Sequence, residues 1–261
     1  MRLPIYQIDA FAQRPFSGNP AAVCPLEYWP EDSLLQQIAE ENNLSETAFF
    51  VAEHGRYRLR WFTPAEEVDL CGHATLASAH VLFTHLGYRS AEIVFITRSG
   101  ELTVRQTGNG MTMDFPVSVP RPIDPPAGLI EGLGCQPVEV LSAFDYVVVL
   151  EDEEQVRALE PDFSSWMNLD LRGVVVTAAG KEADFVSRCF FPKLRVNEDP
   201  VTGSAHCETA PYWSEKLART TLTATQLSAR SGTMTCQLKG NRIELTGQCA
   251  DYMQGEIILS N

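Results

Sequence analysis

The sequence predicts an α+β protein in which strands wrap around one buried helix, twice over, in two pseudo-symmetric halves. Three observations carry this. First, Arg60-Trp-Phe62-Thr-Pro64 recurs as Arg188-Cys-Phe190-Phe-Pro192, at an offset of 128 residues. Held without gaps, that offset carries Val68 onto Val196, Ala77 onto Ala205, and Cys71-Gly72-His73 onto Asp199-Pro200-Val201. Second, residues 73–86 are apolar nearly all round, and a helix without a polar face is buried inside a larger structure. Third, a second helix from Gly203-Ser204 to Leu217 falls at the repeat-equivalent place. A repeated frame whose polar cluster differs between copies describes a fused scaffold with one asymmetric site.

The elements follow in order. Leu3 to Phe11 reads as a strand, and Pro15 to Pro20 as a loop dense in turn formers. Ala21 to Cys24 resumes a strand. Asp32-Ser33 suits the cap of a helix carrying Leu34, Leu35, Ile38 and Ala39 at helical spacing, which Asn42-Asn43 ends. Residues 47–51 and 57–62 read as paired strands joined at Glu53-His54-Gly55. The buried helix begins at His73, and Gly87 stops it. Strands at 92–97, 101–106 and 112–115 follow, with glycine turns between them. Pro116 to Pro126 holds five prolines and no helical period, so it is the crossover between halves. The second half offers strands at 146–150, 173–177 and 184–191. Its helix contains Pro211, which argues for a kink or a late start. Strands at 226–230, 233–239, 242–246 and 256–259 close the chain. The halves are expected at residues 1–117 and 118–249, with a C-terminal strand 250–261 rejoining the first.

Composition narrows the function. The 261 residues are 44% apolar and 21% charged, enough for one large domain or two smaller ones. A formal net charge of −14 disfavours nucleic acid and anionic membrane as partners. It leaves room for a small anionic metabolite, because backbone amides can make a locally positive pocket. The seven cysteines are scattered and odd in number, which speaks against a disulfide framework. Nothing reads as a signal peptide or a spanning segment, so the expected location is cytoplasmic.

Four stretches taken together resemble the phenazine-biosynthesis-like (PhzF-like) isomerase family, of the diaminopimelate-epimerase fold. They are Ile8-Asp9-Ala10-Phe11 with Gly18-Asn19-Pro20, then Asn43-Leu44-Ser45-Glu46-Thr47, Cys71-Gly72-His73-Ala74-Thr75, and Glu198-Asp199-Pro200-Val201-Thr202-Gly203-Ser204. The resemblance implies a β-barrel around a central helix in each half and an active site between the halves. It also implies neither metal nor organic cofactor, and a homodimer. It places the general acid/base on Glu46, further catalytic groups on His73 and Asp199, and substrate contacts on Asn19 and Ser204. Leu70-Cys71 and His206-Cys207 depart from the phenazine enzymes themselves, so the phenazine substrate does not carry over.

The chemistry suits these residue types. Moving a proton along a carbon skeleton needs a base at one carbon and an acid at another, and a water-poor carboxylate can serve as both. At the gapless offset the equivalent of Glu46 is Val174, so only one half carries this base. A histidine near its ordinary pKa of about 6.5 can donate or accept a proton. Asp199 can fix the His73 tautomer or assist proton return; as a plain structural residue it would cap the second helix. Helices beginning at Gly72-His73 and Gly203-Ser204 would aim free amides at an anion, and the glycines allow close approach. The substrate is therefore expected to carry a carboxylate.

Competing readings remain. A racemase or epimerase could use Cys71 with Glu46 or Asp199, since a cysteine beside a helix N-terminus can have a lowered pKa, while a buried inert cysteine is the plainer reading. The two-thiol form of that chemistry lacks its second cysteine, since the equivalent place holds Asp199-Pro200. A binding module without turnover is the non-enzymatic alternative. Cys71-x-His73 with His206-Cys207 does not have zinc-motif spacing. No glycine loop suits a nucleotide, and Gly203-Ser204 lacks a hydrolase elbow.

Overall fold

The computed structural model describes residues 1–259. In chain order its elements are β1 (Arg2–Ala10), β2 (Asn19–Leu26), α1 (Asp32–Asn42), β3 (Glu46–Glu53), β4 (Arg56–Phe62), β5 (Glu67–Val68), α2 (Gly72–Thr84), β6 (Glu92–Thr97), β7 (Gly100–Thr107) and β8 (Gly110–Pro116). There follow β9 (Arg121–Pro122), α3 (Ala127–Leu133), β10 (Glu139–Ser142), β11 (Tyr146–Val149), α4 (Glu153–Ala158), α5 (Phe163–Trp166), β12 (Val174–Ala179) and β13 (Phe185–Phe191). A 3₁₀ turn at Pro192–Leu194 leads to β14 (Val196–Asp199), α6 (Gly203–Leu217), β15 (Thr221–Gln226), β16 (Gly232–Lys239), β17 (Arg242–Gly247) and β18 (Cys249–Ile258). Contacts group the chain into two units, Met1–Asp114 with the segment from Thr246, and Phe115–Leu245. Residues 260 and 261, included in the expected C-terminal strand 250–261, lie outside the described residues. No helix among the described residues is long and apolar enough to cross a membrane.

Each unit repeats one strand sequence. In the first, β1 pairs with β2 antiparallel, β2 with β3 parallel, β3 with β4 antiparallel, β4 with β6 parallel and β6 with β7 antiparallel. In the second, β10, β11, β12, β13, β15 and β16 follow the same alternation. Parallel neighbours need a crossover, and each crossover carries helix. The connection from β4 to β6 contains α2, and that from β13 to β15 contains α6. Residues His73 to Ala79, Val81 and Leu82 of α2 are buried, and the helix packs on β1, β2, β3 and β18. In the second unit α6 buries Gly203 and most residues from Ala205 to Trp213, against β15 and β16. A second layer covers each sheet. Leu35, Ile38 and Ala39 of α1 join Phe49 and Phe62 in the first unit. In the second, Leu129, Val156 and Trp166 of α3, α4 and α5 join Val176 and Phe190.

The structure corrects the register of the repeat. Arg60 forms a two-point ion pair with Glu67, and Arg188 one with Glu198. Each guanidinium also lies over the phenylalanine two residues on, Arg60 over Phe62 at 5.1 Å and Arg188 over Phe190 at 5.0 Å. The second copy takes three more residues to reach its glutamate, and the 3₁₀ turn at Pro192–Leu194 supplies them. Beyond that turn the offset is 131. Val68 opposite Trp61 therefore matches Asp199 opposite Cys189. Cys71-Gly72-His73 matches Thr202-Gly203-Ser204, rather than Asp199-Pro200-Val201 as gapless comparison gave. Two side-chain bonds confirm the register: Thr75 and His206 both bond the carbonyl of the residue before the helix, Cys71 and Thr202. Ser78 and Thr209 bond Ala74 and Ala205 in the same way. On the strands, Thr47 opposite Phe62 matches Val174 opposite Phe190. The counterpart of Glu46 is then Gly173, not Val174.

Other departures are local. α1 starts after Glu31 without a side-chain cap, because Asp32 instead accepts from Arg60 at 2.8 Å. The second helix neither starts late nor stops at Pro211. Proline has no N–H for the carbonyl four residues back, and Ser118 N–H bonds that Cys207 oxygen at 3.0 Å instead. Residues 227–231 turn rather than extend, since Ser231 Oγ bonds Gln226 O and its N–H bonds Ser228 Oγ. The strand lies earlier, at β15, where Leu222 and Ala224 alternate inward. The last strand is also longer than expected, reaching back to Cys249.

Candidate active site

Glu46 is the first residue of β3. The chain reaches it from α1 through Asn43, whose left-handed φ of 48° turns it, while Asn42 Nδ2 bonds Thr47 Oγ1 at 3.0 Å. His73 lies in the first turn of α2 and is buried. Its Nε2 stands 3.1 Å from Glu46 Oε2, close enough for an ion pair but without the alignment of a hydrogen bond. On its other side, Nδ1 lies 3.5 Å from Cys71 Sγ. Burial opposes the charged imidazolium, but Cys71 and Glu46 outweigh it and hold His73 well above its ordinary range. Burial, then the Glu46 carboxylate, pushes the Cys71 thiol up. Burial outweighs any lowering by the helix N-terminus, which accords with the plainer reading of Cys71 as a buried, inert thiol.

Cys71 precedes α2 without bonding its amides through the side chain. The first N–H groups of a helix have no partner within it; that of Ala74 lies against the Cys71 sulfur, which leaves those of Gly72 and His73 beside the Glu46–His73 pair. Asn19 opens β2, is fully buried and pairs with Ala10. Gly18 before it has φ of 69° and sits so close that an added Cβ would lie 2.1 Å from Ala10 O.

In the second unit, Asp199 ends β14. Its Oδ2 accepts from Thr202 Oγ1 at 2.5 Å, so it braces the residue before α6. Thr202 holds the cap position and, like Cys71, makes no side-chain bond to the helix amides. Gln226, fully buried, accepts from Thr202 N at 2.8 Å and donates to Asp199 O at 2.7 Å. Ser204 Oγ accepts from Arg172 Nη2 at 3.0 Å. Arg172 forms a two-point pair with fully buried Asp145, at 3.0 and 2.6 Å. One turn along α6, Glu208 Oε2 accepts from Asp145 N–H, while its Oε1 is buried with no partner. Desolvation first, then the Asp145 charge, raises Glu208 to about 8. Burial lowers His206 to about 4; its Nδ1 lies 2.8 Å from Thr202 O, so Nδ1 carries the hydrogen.

Glu46, His73 and Cys71 therefore meet, as do Asp199, Thr202 and Gln226, and Ser204 with Arg172. Sequence reasoning missed Arg172, Asp145, Glu208 and Gln226. Glu208 left a signal, as a carboxylate inside the apolar face of a helix; Gln226 left none. Glu46, Cys71 and His73 offer donor atoms within 4.8 Å of one another, as do His80, His85 and Asp251.

The profile of a family described as phenazine biosynthesis-like protein matches residues 8–255. An uncharacterized isomerase of Pseudomonas aeruginosa is 55% identical over 99% of this chain and 100% of its own length. A crystal structure of a PhzF-family phenazine biosynthesis protein from Enterococcus faecalis is 48% identical, with a TM-score of 0.97 over 99% of this chain and 100% of that one. A hydroxyproline epimerase from Agrobacterium vitis, solved with bound trans-4-hydroxy-L-proline, shares the fold alone, at 9% identity and a TM-score of 0.62 over 100% of this chain and 93% of that one. The expected fold, two similar halves of epimerase type, is thus the observed one. With its motifs in order along the whole chain, this protein belongs to the phenazine biosynthesis-like (PhzF-like) family and is an isomerase.

Proposed function

We propose that the protein moves a proton between carbons of a small carboxylate-bearing metabolite, with Glu46 as the general acid/base. The buried approach of Glu46 to His73, beside an uncapped helix start, carries the reading. Glu46 takes a proton from a carbon made acidic by an adjacent carbonyl or unsaturated group. The electron pair left behind spreads onto oxygen, and the proton returns at another carbon. Protonated His73 offsets the Glu46 charge before the step and faces the growing negative charge during it. Preorganised donors of this kind act strongly where water is excluded. Amides at Gly72-His73 and at Gly203-Ser204 take the substrate carboxylate, and Asn19 and Ser204 orient it. Asp199 assists through the Thr202 brace. This chemistry invokes no metal and no organic cofactor, and we assign it to a cytoplasmic homodimer that engages neither nucleic acid nor membrane.

The racemase alternative loses ground on two observations. The Cys71 thiol is pushed up rather than down. The residue in the Cys71 register of the other unit is Thr202 rather than a cysteine. The test is a crystal structure soaked with a panel of small 2-hydroxy, 2-amino and unsaturated carboxylic acids. A carboxylate on the Gly72 and His73 amides, with a substrate carbon within reach of Glu46, supports the proposal. A ligand that leaves both helix starts empty overturns it.

A further inference from the structure

Outside the candidate active site, a second cluster of coordinating groups lies at the opposite end of α2. His80 is on its last turn, His85 follows directly, and Asp251 projects from β18. His80 Nε2 is 3.1 Å from Asp251 Oδ1, and His85 Nε2 is 2.7 Å from the same oxygen. All three donor atoms lie within 4.8 Å of one another. Two imidazoles turn the same ring nitrogen toward one carboxylate oxygen.

We propose that His80, His85 and Asp251 form a binding site for a divalent transition cation, Zn²⁺ by the match of its donors, that ties the end of α2 to β18. Two imidazole nitrogens and one carboxylate oxygen are a borderline donor set, suited to Zn²⁺ and poor for Mg²⁺ or Ca²⁺. Zinc bonds of about 2.0–2.2 Å place neighbouring donors roughly 3.3 Å apart. The two histidine–carboxylate separations, 3.1 and 2.7 Å, open by about 0.2 and 0.6 Å to reach that spacing. The His85 ring is held in orientation by Tyr6, with centroids 4.8 Å apart. The side chains are 15, 21 and 49% exposed for His80, His85 and Asp251, so an ion can enter and water can complete its shell.

The ligands are 166 and 171 residues apart in sequence. An ion there closes a long loop between α2 and β18, and stabilises the fold wherever it binds the folded form better than the unfolded one. Its role is structural, and it is independent of the reading of Glu46 and His73.

The test titrates the full-length chain with Zn²⁺ by calorimetry, and with Co²⁺ by visible absorption, in a Cys71→Ser background that removes the other donor cluster. One equivalent should bind, with tetrahedral Co²⁺ bands and no thiolate band. Asp251→Asn and His85→Gln should each weaken Zn²⁺ at least about tenfold. Saturating Zn²⁺ should raise Tm by about 5 °C in the background and not in the variants. Metal-free melting curves show that each variant folds, and two ligand positions keep the test open if one does not. Absence of saturable binding in the background overturns the proposal. So does binding that both ligand variants leave unchanged.

Discussion

Ser204 stands in α6 where His73 stands in α2: each is the second residue of a helix that starts at a glycine and has no side-chain cap on its amides. One frame thus carries different chemistry in its two copies. His73 is flanked by Glu46 and Cys71, and Ser204 is held by Arg172.

Arg172 is the residue on which the second arrangement depends. Its partner Asp145 has no exposure, so removing the guanidinium leaves a buried charge unpaired. Arg172→Ala should cost about 3–5 kcal/mol by urea unfolding, as a broken buried pair does. Changing both residues to leucine should recover much of that loss. A cost under about 1 kcal/mol would show that Asp145 finds another partner.

Glu208 makes stability fall in alkali. Its folded pKa, raised to about 8, lies above the model value of 4.5. The folded state therefore holds the proton more tightly. Its contribution is complete below about pH 4.5 and is lost as pH rises through 8, by an amount on the order of 5 kcal/mol. Glu208→Gln should melt close to the parent at pH 5 and above it at pH 9. Equal slopes for the two proteins across that range would contradict this.

His206 acts at the other end. Burial lowers it to about 4 from 6.5. The unfolded chain then takes up the proton first, so stability present above pH 6.5 is lost as pH falls toward 4, by roughly 3 kcal/mol. His206→Gln should flatten the acid limb, measured by urea unfolding at pH 7, 5.5 and 4. An unchanged limb would place the acid-sensitive group elsewhere.

Much of the frame was legible because apolar periodicity and turn residues act locally. The helix around Leu76, the Glu53–Gly55 turn and the paired strands beside it are examples. The register of the repeat was not legible. Three residues of 3₁₀ turn at Pro192–Leu194 shift the frame, and only the paired strands reveal the shift. The short helices α3, α4 and α5 and the strand β10 have too few residues to show a period. At the site, the motifs brought Glu46 and His73 forward together. The Arg172–Asp145 pair stayed hidden, because its members come from separate strand ends that only the fold joins.

The central claim is that Glu46 moves a proton bound to carbon. Its most direct test is incubation of the chain with small carboxylic acids in deuterated water, followed by mass spectrometry for deuterium at carbon. The account predicts exchange into at least one acid by the parent and by Cys71→Ala, and none by Glu46→Gln. Exchange that persists in Glu46→Gln, or that vanishes in Cys71→Ala alone, would contradict it.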